Sequence, residues 1–466
     1  MPKGKVHNMN TLQAGFSRVN ITPPLGIDIV GYYHSRYASG ILDDLEINAL
    51  ALAAGEDKVL LLSADLCYIS DEPQKTICEH LQKATGLTKD QIFIHATHTH
   101  TGPVVNTSGR GLSVFANDEQ KVSLAREYFQ ILLRKFADAA LLALQDLKPA
   151  KMGWAVGNAP NIAFVRRFRM KDGSVCTNPG VGNPDILHPI GDVDERVNVL
   201  RFDRENAETI VLANMGCHPD VVGGDQISGD WPTLYRHRLE KAMDNVKTLF
   251  FNGAEDDVNH VNVNAKDGDM NDMFHDFDDV ARGYGHARHM GNVIAGAVMQ
   301  VYDKVNYVDV DKLHSRVQTV TIPANKGTPE ELPLAHKYND LHKAGKDSEI
   351  PFAGMQLTTV LAQSARIVRL ENGPDNFKKD ISGVVIGDVA LVGIPGEPFN
   401  RVGIGLKEAP GWKLVLPCCN INGAAGYFPM QDSYDEGGYE ACSCSYKAGT
   451  AEQLVAEGIA LLDSLR

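Results

Sequence analysis

Apolar and polar positions along the chain switch between two periods. Residues 48–53 and 59–65 are apolar runs on either side of the turn Gly55-Glu56-Asp57, which predicts a β-hairpin. A further strand is expected over 91–98, and others around 197–203, 209–215 and 247–251. Between 117 and 147, Val122, Ala125, Phe129, Leu132, Phe136, Ala139 and Leu142 recur at helical spacing and predict one long amphipathic helix. Helices are also expected near 233–243, 279–303, 355–370 and 450–465, with a hairpin at Gly387-Asp388 and a strand over 412–418. Helices alternate with strands, but hairpins interrupt the alternation. The fold class expected is α/β, a mixed β-sheet core flanked by helices.

No Ser/Gly-rich linker and no internal repeat divides the 466 residues. The expectation is an N-terminal tail over 1–13 and one catalytic domain over 14–466, with the charged stretch 326–350 as an excursion between its halves. Composition narrows the function. With 45 Lys+Arg against 59 Asp+Glu the net charge is −14, which argues against a nucleic-acid partner or an anionic membrane surface. The N-terminus has no apolar stretch of signal-peptide type, and the apolar run 59–69 is broken by Asp65 and too short to span a bilayer. Eight cysteines without CxxC spacing read as reduced thiols of a cytoplasmic protein.

The chemistry gathers at strand ends, where open α/β sheets bind ligands. Thr97-His98-Thr99-His100-Thr101-Gly102-Pro103 leaves an apolar strand and stops at Gly-Pro. Its two-residue period sets His98 and His100 on one side and His95 on the other, as a packed histidine. A second strand ends in Gly216-Cys217-His218-Pro219, a third in Glu255-Asp256-Asp257 and a fourth in Gly396-Glu397-Pro398. The Gly-rich loops around Tyr427 and Tyr439 make a fifth group. His, His, Glu and an oxygen ligand suit a catalytic zinc site at the strand ends. The three consecutive carboxylates either bind a further cation, fix the loop or are solvated. No P-loop, GxGxxG, HExxH or GxSxG motif is present, which demotes kinase, dehydrogenase and serine-hydrolase chemistry.

In this order the motifs resemble the catalytic domain of the neutral/alkaline, non-lysosomal ceramidase family. Gly15-Phe16-Ser17-Arg18-Val19-Asn20-Ile21-Thr22-Pro23-Pro24, Gly31-Tyr32, Leu62-Ser63-Ala64-Asp65, the Thr97–Pro103 run, Cys217-His218-Pro219, Asn252-Gly253-Ala254, Gly396-Glu397-Pro398, Gly426-Tyr427 and Tyr439-Glu440 carry the likeness from about residue 14 to 466. The resemblance implies Zn2+ held by His98, His218, Glu397 and Tyr427, with His100, Arg166 and Tyr439 around the reacting carbonyl. The adjacent Arg167 competes with Arg166 for its place. The sequence departs from the family in having Asn259 where ceramide-cleaving members carry a Ser, and in lacking their C-terminal β-sandwich and signal peptide.

The expected activity is therefore hydrolysis of a C–N amide bond in a small, soluble N-acyl substrate by a zinc-activated water, with no stable membrane association. A zinc-dependent lactone or ester hydrolase, or a lyase acting on a polar sugar-derived molecule, is the alternative, with Arg166, Arg167 and Arg169 gripping a carboxylate. A non-enzymatic scaffold would be expected to lack competent ligands. The oligomeric state is open and admits a homo-oligomer.

Overall fold

The computed structural model describes residues 12–32, 34–105, 119–266, 268, 273–275 and 280–466. Of the expected tail, 1–11 lie outside these, whereas Leu12 is buried and the first strand is Gln13–Asn20. Among the described residues the largest sheet has nine strands. Its order is Val246–Asn252, Thr209–Met215, Arg196–Arg204, Lys148–Asn158, Gln13–Asn20, Glu46–Ala54, Asp57–Ala64, Ile92–Ala96, with Asn306–Val308 added beside Lys148–Asn158. A second sheet is formed by Leu313–Pro323, Asn376–Ile386, Val389–Gly393 and Leu414–Cys418.

The expected mixed β-sheet core flanked by helices is present, and it consists of two sheets packed back to back between helical layers. Consecutive residues show why the strands read as continuous apolar runs. Ala49, Ala51, Leu60 and Leu62 pack under the helices Asp71–Thr85 and Glu119–Gln145, whereas Leu50, Leu52 and Leu61 face the second sheet. Val211 and Ala213 likewise meet the helices Asp230–Ala242 and Tyr284–Tyr302, while Leu212 faces inward. Leu391 of the second sheet joins the inter-sheet layer, and Ala390 and Val392 turn to the helix Thr450–Ser464 on its outer side. These strands are apolar on both faces because both faces are covered.

Within the two large sheets, three described pairs of strands are parallel: Asp57–Ala64 with Ile92–Ala96, Thr209–Met215 with Val246–Asn252, and Val389–Gly393 with Leu414–Cys418. A parallel pair needs a crossover, supplied by the helices Asp71–Thr85, Asp230–Ala242 and Asn400–Lys407 respectively. Each βαβ unit delivers two C-terminal strand ends side by side. The units at the two edges of the large sheet are also joined to each other. The Asn252 N–H donates to Nε2 of His95 (3.0 Å), and Nδ1 of His95 meets Oγ of Ser63 (3.0 Å), which donates to the Phe250 carbonyl (2.6 Å). His95 stacks on Phe251 at 4.7 Å, and burial pushes its pKa down to about 3, so the ring is neutral and packed.

The long helix runs Glu119–Gln145; the expected positions 117–118, and the side chain of Val122, lie outside what is described. Phe129, Leu132, Phe136 and Ala139 are buried as expected, but Leu142 is 49% exposed. At about 100° per residue Leu142 lies about 120° round the helix from Phe136, beyond the buried face, which ends with Ala140 and Ala143. The stretch 326–350 is no plain excursion: it holds the helix Leu332–Lys343, packed against Gly354–Leu370 to form a two-helix roof. The strand Lys148–Asn158 went unread because Pro149, Gly153 and Gly157 break its pattern. Gly153 and Gly157 are needed there, since a Cβ would lie 2.6 Å from Val305 and from the Ala297 carbonyl respectively.

A buried ion network anchors the strand ends beneath the site. Arg236, with no exposed surface, pairs with Asp65 at 2.5 Å and Glu46 at 3.3 Å, and Arg18 reaches Glu46 at 3.2 Å. Burial opposes the charge of Glu46, but His237, Arg236 and Arg18 outweigh it and hold its carboxyl at about 2, below the ordinary 4.5. A depressed carboxyl contributes stability above its unfolded value and loses it as the pH falls through the folded one. Glu46→Gln is therefore expected to destabilise at neutral pH, with the gap to wild type closing as the pH drops from 4.5 toward 2 in urea-unfolding midpoints. In the same assay Phe136→Ala is expected to cost about 3–5 kcal/mol, and Leu142→Lys to stay within about 0.5 kcal/mol.

Candidate metal centre and active site

The C-terminal ends of the three βαβ units meet at one point. Past Ala96 the chain turns through His98, whose φ of 75° is left-handed for a residue with a Cβ, and whose N–H is held by the Leu66 carbonyl at 2.9 Å. Past Met215 comes His218, and past Gly393 comes Glu397. Nε2 of His98 lies 3.2 Å from Nε2 of His218, 3.3 Å from Nε2 of His100 and 3.3 Å from a Glu397 oxygen. His98 and His218 are 3% and 2% exposed.

The outer nitrogens decide what these inner ones carry. Nδ1 of His98 faces the Cys67 carbonyl at 2.8 Å, and Nδ1 of His218 contacts the buried carboxylate of Glu255. With Nδ1 engaged outward on each ring, both Nε2 atoms point at each other and at the Glu397 carboxylate, the orientation in which imidazoles ligate a metal ion. Such a cluster calls for positive charge among its donors, supplied by a metal ion or, without one, by a proton on His98. Ligand atoms of His98, His218, Glu255 and Glu397 all lie within 4.8 Å of one another. Burial disfavours charge on His98, yet Glu397, Cys67 and Glu255 outweigh it and raise its pKa well above the ordinary value. The donor set fits a metal ion.

Glu397 and Tyr427 sit opposite each other on the paired two-residue strands Glu397–Pro398 and Tyr427–Phe428. The Tyr427 hydroxyl reaches that of Tyr439 at 3.3 Å, and Tyr439 opens the short helix Tyr439–Ser443. His98, His100, His218, Glu397, Tyr427, Tyr439 and Arg166 all line one cavity of about 500 Å³. The floor is the His/Glu cluster and the roof is the helix pair, through Asn339, His342 and Lys343 of one and Met355, Thr358, Leu361 and Ala365 of the other. His100 is seated on Gly31, where a Cβ would fall 2.7 Å from its ring and where φ is 111°. Burial, with His218 and His98, holds His100 well below its ordinary pKa, so its ring is neutral.

Arg166 faces the cavity and Arg167 does not. Arg166 is clamped by Asp256 at 2.7 Å through Nη2 and by Glu440 at 2.9 Å through Nε. Arg167 turns away to Ser433 and Glu436, and Arg169 bonds the Gly173 carbonyl, so neither joins Arg166 in a three-arginine grip. The acidic triplet is likewise divided among partners. Glu255 contacts His218, Asp256 holds Arg166, and Asp257 accepts from the Asn400 N–H at 2.7 Å. Its three carboxylates orient the site rather than forming a cation cluster of their own. Asn259 lies behind the wall, bonding Asn178 at 2.9 Å.

Sequence reasoning passed over several residues of the cavity. Arg282 pairs with Asp220 at 3.6 Å and lies over the Tyr32 ring, 4.8 Å from its centre, with Arg36 on that ring at 3.5 Å. Asn178 lines the wall, and only its place in the turn-type run Thr177-Asn178-Pro179-Gly180 marked it. The roof helices carried no motif at all.

Glu255→Gln keeps the shape of the side chain but weakens its hold on His218. It is expected to lower divalent-metal affinity about 10–100-fold, measured by chelator competition, with the far-UV circular dichroism unchanged.

No sequence-family model matches the chain. Over 98% of its length it is similar to the crystal structure of neutral ceramidase from Pseudomonas aeruginosa, with a TM-score of 0.68 and 16% identity across 75% of that chain. A second structure, a ceramidase complexed with C2, matches over the same 98% with a TM-score of 0.67 and 16% identity, across 76% of its own chain. The chain thus has the neutral ceramidase fold along nearly its whole length.

Proposed function

We propose that this protein is a zinc-dependent hydrolase that cleaves the amide C–N bond of a small N-acyl molecule. The observation that carries the reading is the meeting of the His98, His100 and His218 Nε2 atoms and the Glu397 carboxylate on the floor of a cavity walled by Arg166, Tyr427 and Tyr439. The likeness in fold to proteins described as ceramidases, which act on an amide, supports the choice of bond. His98, His218, Glu397 and Tyr427 would hold the ion. Zinc bound there supplies the Lewis acidity that polarises an acyl carbonyl and brings the pKa of water down to about 7.

The chain's own groups do the rest. His100, neutral and with its Nε2 turned to the cluster, takes a proton from the attacking water as the new C–O bond forms. It returns that proton to the leaving nitrogen as the C–N bond breaks. Arg166 uses Nη2 and Nε on its two carboxylates, which leaves Nη1 for the developing oxyanion, and Tyr439 is the second donor. A donor of this kind contributes about 3 kcal/mol to the barrier. The cavity of about 500 Å³ suits a small molecule rather than a lipid with two long chains. One catalytic unit spans both sheets in this reading, and it works in the cytoplasm on a dissolved substrate. Among the described residues no helix is long and apolar enough to cross a membrane.

Purified protein is expected to bind zinc stoichiometrically, to hydrolyse short N-acyl amines or N-acyl amino acids, to lose that activity on chelation and to regain it with zinc. His98→Ala and His218→Ala are each expected to lose bound metal and at least about 1,000-fold in kcat/KM, and Tyr439→Phe about 100-fold in kcat. Activity confined to lactones or esters in a side-by-side panel, or turnover untouched by chelation, would sink the reading.

A further inference from the structure

The cavity above the metal-binding cluster has a neighbour. A second cavity of about 590 Å³ lies between the hairpin strands Arg167–Met170 and Val175–Thr177 and the start of the roof helix Gly354–Leu370. Asn178 and Met355 line both cavities, so the two spaces meet at these side chains. We infer that the substrate is bipartite: an uncharged polar arm, rich in oxygen acceptors, passes from the reacting amide between Asn178 and Met355 into the second cavity, and Asn178 donates a hydrogen bond to it. This deepens the hydrolase reading and rests on it for the position of the amide.

A chain of hydrogen bonds fixes which end of the Asn178 amide meets the ligand. The backbone N–H of Val261 can only donate, and it donates to Oδ1 of Asn259 at 3.0 Å. Asn259 therefore turns its Nδ2 outward and donates to Oδ1 of Asn178 at 2.9 Å. With its oxygen engaged, Asn178 presents its NH2 group at the seam as a donor. The backbone holds it there: φ is 50°, and the Asn178 N–H donates to the Arg166 carbonyl at 2.8 Å. Thr177 next to it donates to Glu440 at 2.8 Å, the carboxylate that also clamps Arg166. The donor at the seam and the guanidinium over the reacting carbonyl thus share one rigid support.

The lining of the second cavity sets the character of the arm. Ser174, Asn183 and Gln356 are polar, and Asp172 and Asp185 outnumber Lys171. Ser174 and Asn183 are already bonded to Asp172 and to the Pro179 carbonyl, but an apolar chain would take the Asp172 and Asp185 carboxylates out of water and leave the Asn178 donor unmatched, and a carboxylate would meet two aspartates. Hydroxyls or amide carbonyls fit both this lining and the donor at the seam, so the arm is an amino-sugar or a short peptide.

The test compares amides that share the same scissile bond and differ in the arm: n-butyl, glucosamine or glycylglycinamide. The arm is placed on the amine side in one series and on the acyl side in another. The zinc-loaded wild type is expected to favour one polar arm by at least about tenfold in kcat/KM over n-butyl. Asn178→Asp, which keeps the acceptor for Asn259 and removes the donor, is expected to cost that substrate about tenfold, mainly in KM, and the n-butyl amide less than about threefold. Met355→Trp, which narrows the seam from the end of a helix, is expected to show the same split. An n-butyl amide turned over as well as both polar ones, or variants that lower all substrates alike, would overturn the proposal. Which polar arm wins separates the sugar source from the peptide one. Calorimetric titration with the uncharged N-acetylglucosamine and N-acetylglycylglycinamide stands apart from turnover. Binding by wild type that Asn178→Asp weakens at least about fivefold supports the arm site even if no amide is cleaved, in which case the hydrolase reading alone falls. Absence of binding by either compound together with absence of turnover overturns both.

Discussion

The site depends on a stitch between the two edges of the large sheet. His98 follows an edge strand, and Glu255, which meets His218, follows the opposite one; in a flat sheet these strands would lie at opposite ends. The sheet curls so that Asn252 donates to His95, Ser63 bonds the Phe250 carbonyl, and the His95 ring stacks on Phe251. The imidazole serves because it offers an acceptor on one nitrogen and a donor on the other while its faces remain apolar. Burial keeps it uncharged, and a buried charge at that seam would work against the closure that defines the site.

Given that closure, the parallel pairs explain the chemistry. Each crossover helix returns the chain so that its next strand runs the same way, and the strand ends collect at one pole. Histidines come from two units and the glutamate from the third. Glu255 and Asp256, just past the strand Val246–Asn252, hold His218 and Arg166, and Glu440 of the helix Tyr439–Ser443 completes the clamp on Arg166. The polar groups at this pole are numerous and buried, yet they are matched to one another, as a pre-organised site requires.

Legibility of the sequence followed the physics of each part. Strands buried on both faces announced themselves as apolar runs, and each run ended in a residue with no reason to be apolar, so the strand-end groups His98, His218 and Glu397 were readable. Lys148–Asn158 was not, because Gly153 and Gly157 serve the close approach of neighbouring chain rather than the strand itself. Arg166 could not be told from Arg167 by any local pattern. Their directions are set by Asp256 and Glu436, residues about 90 and 270 positions away, and only tertiary contact reports that. Leu142 looked like core because the apolar stripe was extended one position past the face it belongs to. Of the roof helices, Gly354–Leu370 was readable as a helix near 355–370 and Leu332–Lys343 was not, and the inward residues of both, a mixture of polar and small apolar types, did not mark them as a roof.

The separation of the three units along the chain has one more consequence. His98, His218 and Glu397 lie in three separate units of the chain, and their convergence requires all three units to be in place. Non-local closure of this kind is slow, since the entropy of long loops is lost before the contacts that compensate for it form. A ligand shared by those groups recognises only the finished chain, so it draws the folding equilibrium toward completion in proportion to the logarithm of its concentration. The supply of that ligand in the cell would then govern how much of the protein survives to be used as well as how fast each copy works.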